Sequence, residues 1–204
     1  MSLGEKVRRR AGAQHCGACR SRLVPEATFC HVCGVRIDDP DAQPLHIVDR
    51  LTGLFNDRFV RPILEDELTR AFRYGRTLGV LLVQPAPLEE GAGETGPTIE
   101  EEDDQLLQAI GGAIARTLRD VDTPGVLGRH PPTILALLPD TDMSGTAHAA
   151  RRVVEATDYD LAPLGKRTAL GIVCCQWGQR LRASAVIDAA HRALETDHPE
   201  LLGR

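Results

Sequence analysis

Two cysteine pairs, Cys16-Gly-Ala-Cys19 and Cys30-His-Val-Cys33, stand ten residues apart near the start of the chain, and no other feature limits the local fold so strongly. Two short turns that each present two thiolates can surround one ion tetrahedrally, and soft sulfur ligands in that geometry select Zn2+. Gly17 and Gly34 give the turns backbone freedom, and the segment holds too few apolar residues to fold without a metal at its centre. The other two cysteines, Cys174 and Cys175, are adjacent and far away in sequence. The cluster therefore reads as a metal site in a reducing compartment and not as a disulfide framework. His15 and His31 flank ligand positions and read as solvated neighbours. Four cysteines leave no open coordination position, so the expected Zn2+ is structural.

The stretch CGACRSRLVPEATFCHVCG resembles the short zinc ribbons of the form C-x-x-C-G-x-x-L-x-x-x-x-x-F-C-x-x-C-G found at the ends of many prokaryotic regulatory proteins, with Arg20 in place of the first knuckle's glycine. The ribbon is placed at 14–37, behind a basic tail at 1–13. Residues 1–37 carry seven basic and two acidic side chains (+5), which leaves 17 basic against 27 acidic (−10) in the remainder of a chain of net charge −5. A basic head suits an acidic partner, yet bound thiolates offset much of that charge. Arg8, Arg9, Arg10, Arg20 and Arg22 suggest a nucleic-acid-binding ribbon, but Phe29 alone offers a stacking platform there, so this stands third among the readings and nucleic acid is not the expected partner of the chain.

At 204 residues the chain is long enough for one full core and a small appendage. It contains no run of about eighteen apolar residues, and its polar N-terminus MSLGEKVRRR is not followed by the apolar segment of a signal peptide. A soluble, cytoplasmic protein without a membrane partner is expected.

Residues 38–47 mix Asp and Pro without periodicity and mark a linker to a body at 48–200. After the segment Asp49 to Asn56, DRLTGLFN, the residues Phe59, Ile63, Leu64, Leu68, Ala71 and Phe72 recur at helical spacing to about residue 74. Asn56 or Asp57 serves as N-cap and Gly75 as stop. LGVLLVQ at 78–84 has the length and continuous apolarity of a central strand buried on both faces. Prolines and glycines break periodicity over 85–99. A second helix then begins near Asp103 with Leu106, Leu107, Ile110, Ile114 and Leu118, its acidic start EEEDD suited to a helix N-terminus. Two short strands near 125–127 and 133–138 flank RHPP. A helix at about 143–157 is expected to bury Ala147, Ala150 and Val154, followed by a strand at 168–175 and a last helix using Val186, Ile187, Ala190 and Leu194. The order is αβαββαβα, an α+β fold, with Cys174 and Cys175 as small core hydrophobes in the last strand.

The opening Asp49-x-Leu51-Thr52-Gly53-Leu54-x-Asn56, the helix and apolar strand after it, the helix beginning DDQLLQAI and the hairpin ending LALLPDTD resemble the GGDEF family of diguanylate cyclases over about 47–198. ALGIVCC is similar to that family's strand reading close to T-V-S-I-G-V-A. The resemblance implies a palm-like domain with a sheet of ferredoxin-like order and packed helices. In active members it implies condensation of two GTP molecules across a dimer into cyclic di-GMP, with Mg2+ or Mn2+ held by carboxylates against the triphosphates.

Carried over position by position, the resemblance predicts a site stripped of that chemistry. Where the family has D-x-D at the end of its first strand, this chain has Gln84-Pro85-Ala86, and the GGDEF hairpin falls on His130-Pro131-Pro132-Thr133-Ile134. A neutral amide is a poor metal ligand, and the glycines that let the loop approach phosphate are gone. PLEEGAGETGPTIEEED matches neither the family's Phe-Lys pair nor its Asn, and Asp104 alone falls at a base-contacting Asp. His130 is not expected to rebuild a metal site, since the motif places no carboxylate beside it. Arg119-Asp-Val-Asp122 has the form of the family's RxxD cyclic di-GMP site, but seven residues separate it from His130 instead of five, with the extra pair assigned to Pro124 and Gly125. An ordinary helix C-terminus, with Arg119 near the carbonyl end and Asp122 starting a turn, is the preferred account of the pair over a ligand site.

The expectation is thus a catalytically inactive GGDEF-like regulatory or protein-interaction module with a structural Zn2+ held by Cys16, Cys19, Cys30 and Cys33, and without catalytic Mg2+. A protein is the expected partner. A cyclic di-GMP or GTP receptor using Arg119 and Asp122 is the alternative. A dimer follows from the resemblance alone, and loss of the shared site removes its main reason, so the oligomeric state is left open.

Overall fold

The structure is a computed structural model describing residues 15–16, 22–25, 27–37, 47–88 and 99–203. The chain divides into two compact units, Met1–Ile47 and Val48–Arg204. Among the described residues no helix is long and apolar enough to cross a membrane.

In the first unit, antiparallel bridges join His15 to Arg22 and Phe29 to Arg36. The second closes a tight turn in which the Gly34 N–H donates to the Cys30 carbonyl and the Cys30 N–H to the Val35 carbonyl, both at 2.8 Å. Gly34 has φ 73°, a left-handed conformation that glycine adopts without cost. Cys16, Cys30, Cys33 and Val35 are buried together, with Leu23 packed against them. Cys19, the basic tail with Arg8, Arg9 and Arg10, and Arg20 lie outside the described residues.

The second unit is an α+β domain of four helices and one five-stranded sheet. In chain order it runs α1 (Asp57–Tyr74), β1 (Leu78–Pro87), α2 (Ile99–Thr117), β2 (Thr123–Arg129), β3 (Pro132–Pro139), α3 (Met143–Leu161), β4 (Lys166–Cys175), α4 (Ala183–Thr196) and β5 (Glu200–Leu202). The sheet order is β2-β3-β1-β4-β5, antiparallel except for the β4–β5 pair. Since β1 is central, both its faces are covered. Leu78, Val80 and Leu82 pack with α1 and α4, while Leu81 and Val83 pack with α2 and α3. This alternation under two helix layers is why LGVLLV reads as an unbroken apolar run. Pairing of β1 with β3 ends at Val83, whereas pairing with β4 continues to Pro87. Pro85 and Pro87 therefore fall where β1 has become an edge, the place where a missing donor is tolerated.

Several elements differ from the sequence expectation. The strand expected at 78–84 extends to Pro87, and α2 starts four residues before Asp103. In α3 the buried face is Thr146, Ala150, Val153, Thr157 and Leu161, so Ala147 is exposed and Val154 only partly covered. The buried threonines satisfy themselves: Thr146 donates to the Asp142 carbonyl and Thr157 to the Val153 carbonyl, each at 2.7 Å. Phe72, assigned to the core by spacing, lies on the exposed side of α1. The ninth element, β5, adds a final strand to the expected order. Gly171 permits α4 to approach β4, because a Cβ there would stand 2.1 Å from the Ala190 carbonyl oxygen.

Candidate functional site

Asp49 builds the turn that opens the body. Its Oδ1 accepts from the N–H groups of Leu51 (3.1 Å) and Thr52 (2.9 Å) and from the Thr52 hydroxyl (3.0 Å). Gly53 takes φ 74° and donates to the Asp49 carbonyl, Leu54 is buried against α2, and Asn56 caps α1 by accepting from the Phe59 N–H at 3.2 Å. Gly75 ends α1 in the left-handed conformation. Phe55 bridges to Gly125 and its carbonyl accepts from the Val126 N–H at 2.7 Å, so the turn lies along the outer edge of β2. The other carboxylate oxygen of Asp49, a residue only 7% exposed, pairs with Arg129 at the end of β2.

The hairpin that the resemblance aligns with GGDEF is the connection between β2 and β3, with Arg129 opposite Pro132. Gln84, at the strand end aligned with the family's first metal carboxylate, lies beside Thr133, aligned with the hairpin Glu. The Gln84 Nε2 donates to the Thr133 hydroxyl at 2.9 Å, and that hydroxyl donates to the Pro131 carbonyl at 2.9 Å. The two positions singled out by the resemblance do meet in space, and the groups there satisfy one another.

Three consecutive acids of α2 face basic partners from other elements. Glu102 pairs with Lys166 (2.9 Å), Asp103 with His130 Nδ1 (2.7 Å), and Asp104 with Arg129 (3.1 Å), which also holds Asp49. Two expectations are corrected here. Asp104 sits beyond the first turn of α2, so it is not a helix-start carboxylate, and a carboxylate does stand beside His130. The early start of α2 is the cause, since it carries Asp103 and Asp104 onto the hairpin. Among the described residues these groups form pairs and short chains, and no set of three metal-ligating side chains converges outside the cysteine cluster.

Arg119 and Asp122 close the turn between α2 and β2. The Arg119 guanidinium donates through Nε and Nη2 to both Asp122 oxygens (2.6–3.2 Å), and the Arg119 backbone N–H donates to Oδ2 at 2.9 Å. Nη2 also donates to the Thr141 hydroxyl at 2.9 Å. The Asp122 side chain is 2% exposed and that of Arg119 is 50% exposed. The hydrogen bond to Asp122 raises the Arg119 pKa above its ordinary value, opposed by partial burial and aided by the Asp122 charge. Pro124 and Gly125 pair regularly with Ala136 and Leu135. The pairing of β2 with β3 shifts register between Val126 and Gly128.

In the first unit the sulfurs of Cys16, Cys30 and Cys33 lie within 4.8 Å of one another, with Cys16 and Cys33 at 3.7 Å. Tetrahedral thiolates at a Zn–S distance of about 2.3 Å stand about 3.8 Å apart, so the three described sulfurs fit one zinc ion. Cys19, the fourth expected ligand, lies outside the described residues. His15 and His31 are exposed and not in the cluster.

A family profile described as "Diguanylate cyclase, GGDEF domain" matches residues 46–200. No curated protein matches the chain in sequence. Among solved structures, the FimX GGDEF domain of Pseudomonas aeruginosa aligns with TM-score 0.61 at 13% identity, over 77% of this chain and 99% of that one. The GGDEF domain of DgcB from Caulobacter crescentus, solved in complex with c-di-GMP, aligns with TM-score 0.59 at 15% identity, over 76% and 92%. Diguanylate cyclase SiaD of Pseudomonas aeruginosa, in complex with its activator SiaC, aligns with TM-score 0.57 at 20% identity, over 76% of this chain and 61% of that one. These likenesses share the α+β fold built above from its strands and helices, and with the profile spanning nearly all of the body the chain belongs to the diguanylate cyclase GGDEF-domain family.

Proposed function

We propose that the body is a catalytically inactive GGDEF regulatory module, connected to cyclic di-GMP signalling in the cytoplasm, that acts by engaging a protein partner and is carried with a structural zinc ribbon. The hydrogen bond between Gln84 and Thr133 carries the reading. An amide and a hydroxyl that satisfy each other offer Mg2+ or Mn2+ no negative oxygen, and Pro132 supplies neither an acid nor a backbone donor. Arg129 and His130 further engage the nearby acids Asp49, Asp104 and Asp103. A cation held there would compete with three fixed pairs. The complexes of DgcB with c-di-GMP and of SiaD with its activator support a fold that serves both nucleotide and protein ligands.

Purified protein incubated with GTP and Mg2+ or Mn2+, beside an active cyclase as control, is expected to form no cyclic di-GMP. Formation of that product overturns the reading. Metal analysis is expected to find one zinc per chain. A receptor reading rests on the half-exposed Arg119 beside Asp122, although their mutual pairing already gives both a structural role. Calorimetric binding of cyclic di-GMP or GTP that disappears in Arg119→Ala would place the receptor first.

A further inference from the structure

Residues 70–77 and 176–183 meet at one end of the sheet. Leu78 pairs with Cys175, so both segments leave the sheet at the same level. The Trp177 Cδ2 lies 4.0 Å from where a Cβ on Gly75 would stand, and further along the loop the Ala183 N–H donates to Glu65 Oε1 of α1 at 2.9 Å. The loop therefore runs beside the C-terminal half of α1.

The two segments contain Arg70, Arg73, Arg76, Arg180 and Arg182 and no Asp or Glu, within a body that is otherwise strongly acidic. All five arginines are exposed. Glu67 neutralises Arg70 and Asp140 neutralises Arg76, each at 2.7 Å. Among the described residues Arg73, Arg180 and Arg182 have no carboxylate partner. Beside them stand Tyr74, 60% exposed, Phe72, 46% exposed, and Trp177, the only tryptophan of the chain, 56% exposed. The Arg73 guanidinium lies 5.5 Å from the Tyr74 ring centroid. Every exposed large apolar residue of these segments is aromatic and none is aliphatic. That composition favours a partner that stacks and carries negative charge over one that buries aliphatic surface.

We propose that this surface binds single-stranded nucleic acid, with Trp177 and Tyr74 stacking on bases and Arg73, Arg180 and Arg182 holding phosphates. Aromatic rings stack on any base, and guanidinium groups grip phosphate oxygens in pairs, so recognition is tolerant of sequence. The surface is distinct from the ribbon, where one phenylalanine gave nucleic acid too little to stack on, and the inference does not rest on the proposed function. Three phosphate contacts on a single strand give a log–log salt slope of about −2, a roughly 20-fold loss of affinity between about 50 and 200 mM salt.

Trp177 makes the test direct, because intrinsic tryptophan fluorescence of the intact chain reports on this surface alone. Titration with oligothymidylate at about 50 mM salt is expected to quench the emission, and added salt to reverse it. The double variant Arg180→Glu/Arg182→Glu, whose side chains are exposed, is expected to keep its thermal midpoint and bind at least tenfold more weakly. By anisotropy of a labelled oligonucleotide, Trp177→Phe is expected to retain most of the affinity and Trp177→Ala to lose roughly tenfold. The proposal is overturned by an absence of quenching and anisotropy change, by binding that the double variant leaves intact, or by a blue-shifted emission with phosphatidylglycerol vesicles in place of any response to oligothymidylate.

Discussion

Replacing Asp49 with alanine tests whether the opening turn is a structural device. The variant removes three hydrogen bonds to one carboxylate oxygen and the pair with Arg129. At about 1 kcal/mol net for each hydrogen bond the first loss is about 3 kcal/mol, reduced to about 2 where water reaches the freed donors. Arg129 is 41% exposed, so its pair adds no more than about 1 kcal/mol. A destabilisation of about 2–4 kcal/mol is expected, equivalent to a fall of about 5–10 °C in Tm for a unit of this size. Asp49→Asn keeps an acceptor at Oδ1 for the turn and gives up the pair with Arg129, because its amide nitrogen replaces the accepting oxygen, so it should cost about 1 kcal/mol. Urea denaturation of both variants, with Arg129→Ala and the double variant completing a cycle, measures each contribution. The reasoning fails if alanine costs less than about 0.5 kcal/mol, within the range of an ordinary surface substitution, or if asparagine costs as much as alanine.

Cys16→Ser or Cys33→Ser should abolish stoichiometric zinc and open Cys30 to alkylation while the urea transition of the body stays in place, since Val48–Arg204 has its own two core clusters. Metal analysis with thiol labelling decides it. Burial, with a smaller contribution from Cys174, pushes the Cys175 thiol from an ordinary value of 9.0 to about 12. Between these values the unfolded chain has lost a proton that the folded chain keeps, so stability should fall as pH rises above 9, by at most about 1.4 kcal/mol per pH unit for this group. Cys175→Ala should flatten that slope in urea midpoints measured between pH 8 and about 10, and an unchanged slope would refute the assignment.

Sequence made most of the scaffold legible where one residue type has one physical reason. The apolar run at 78–83 has the length of a strand covered on both faces and proves to be one, and Asn56 and Gly75 mark the two ends of α1 by capping chemistry. Buried polar groups obscured α3, whose inward threonines find carbonyls within their own helix and interrupt the apolar stripe of Ala150, Val153 and Leu161. Phe72 shows the opposite error, an aromatic at core spacing that the fold leaves exposed. Nothing periodic marks β5, because three residues are too few. At the hairpin, the resemblance could single out Gln84 and Thr133 but not that they bond. The start of α2 is hidden by its acids, and with it the meeting of Asp103 and His130. The surface around Trp177 joins segments about a hundred residues apart, a distance no local pattern bridges.

The two prolines of β1 bear on how this domain behaves in a crowded solution. A sheet invites strangers wherever a row of backbone donors and acceptors is left open. Here the segment around Phe55 screens part of the β2 margin, Pro85 and Pro87 delete donors where β1 outruns its neighbour, and β5 is only three residues long. Runaway strand addition is thus discouraged at each margin by a different device, and partners are left to find the domain through its side chains.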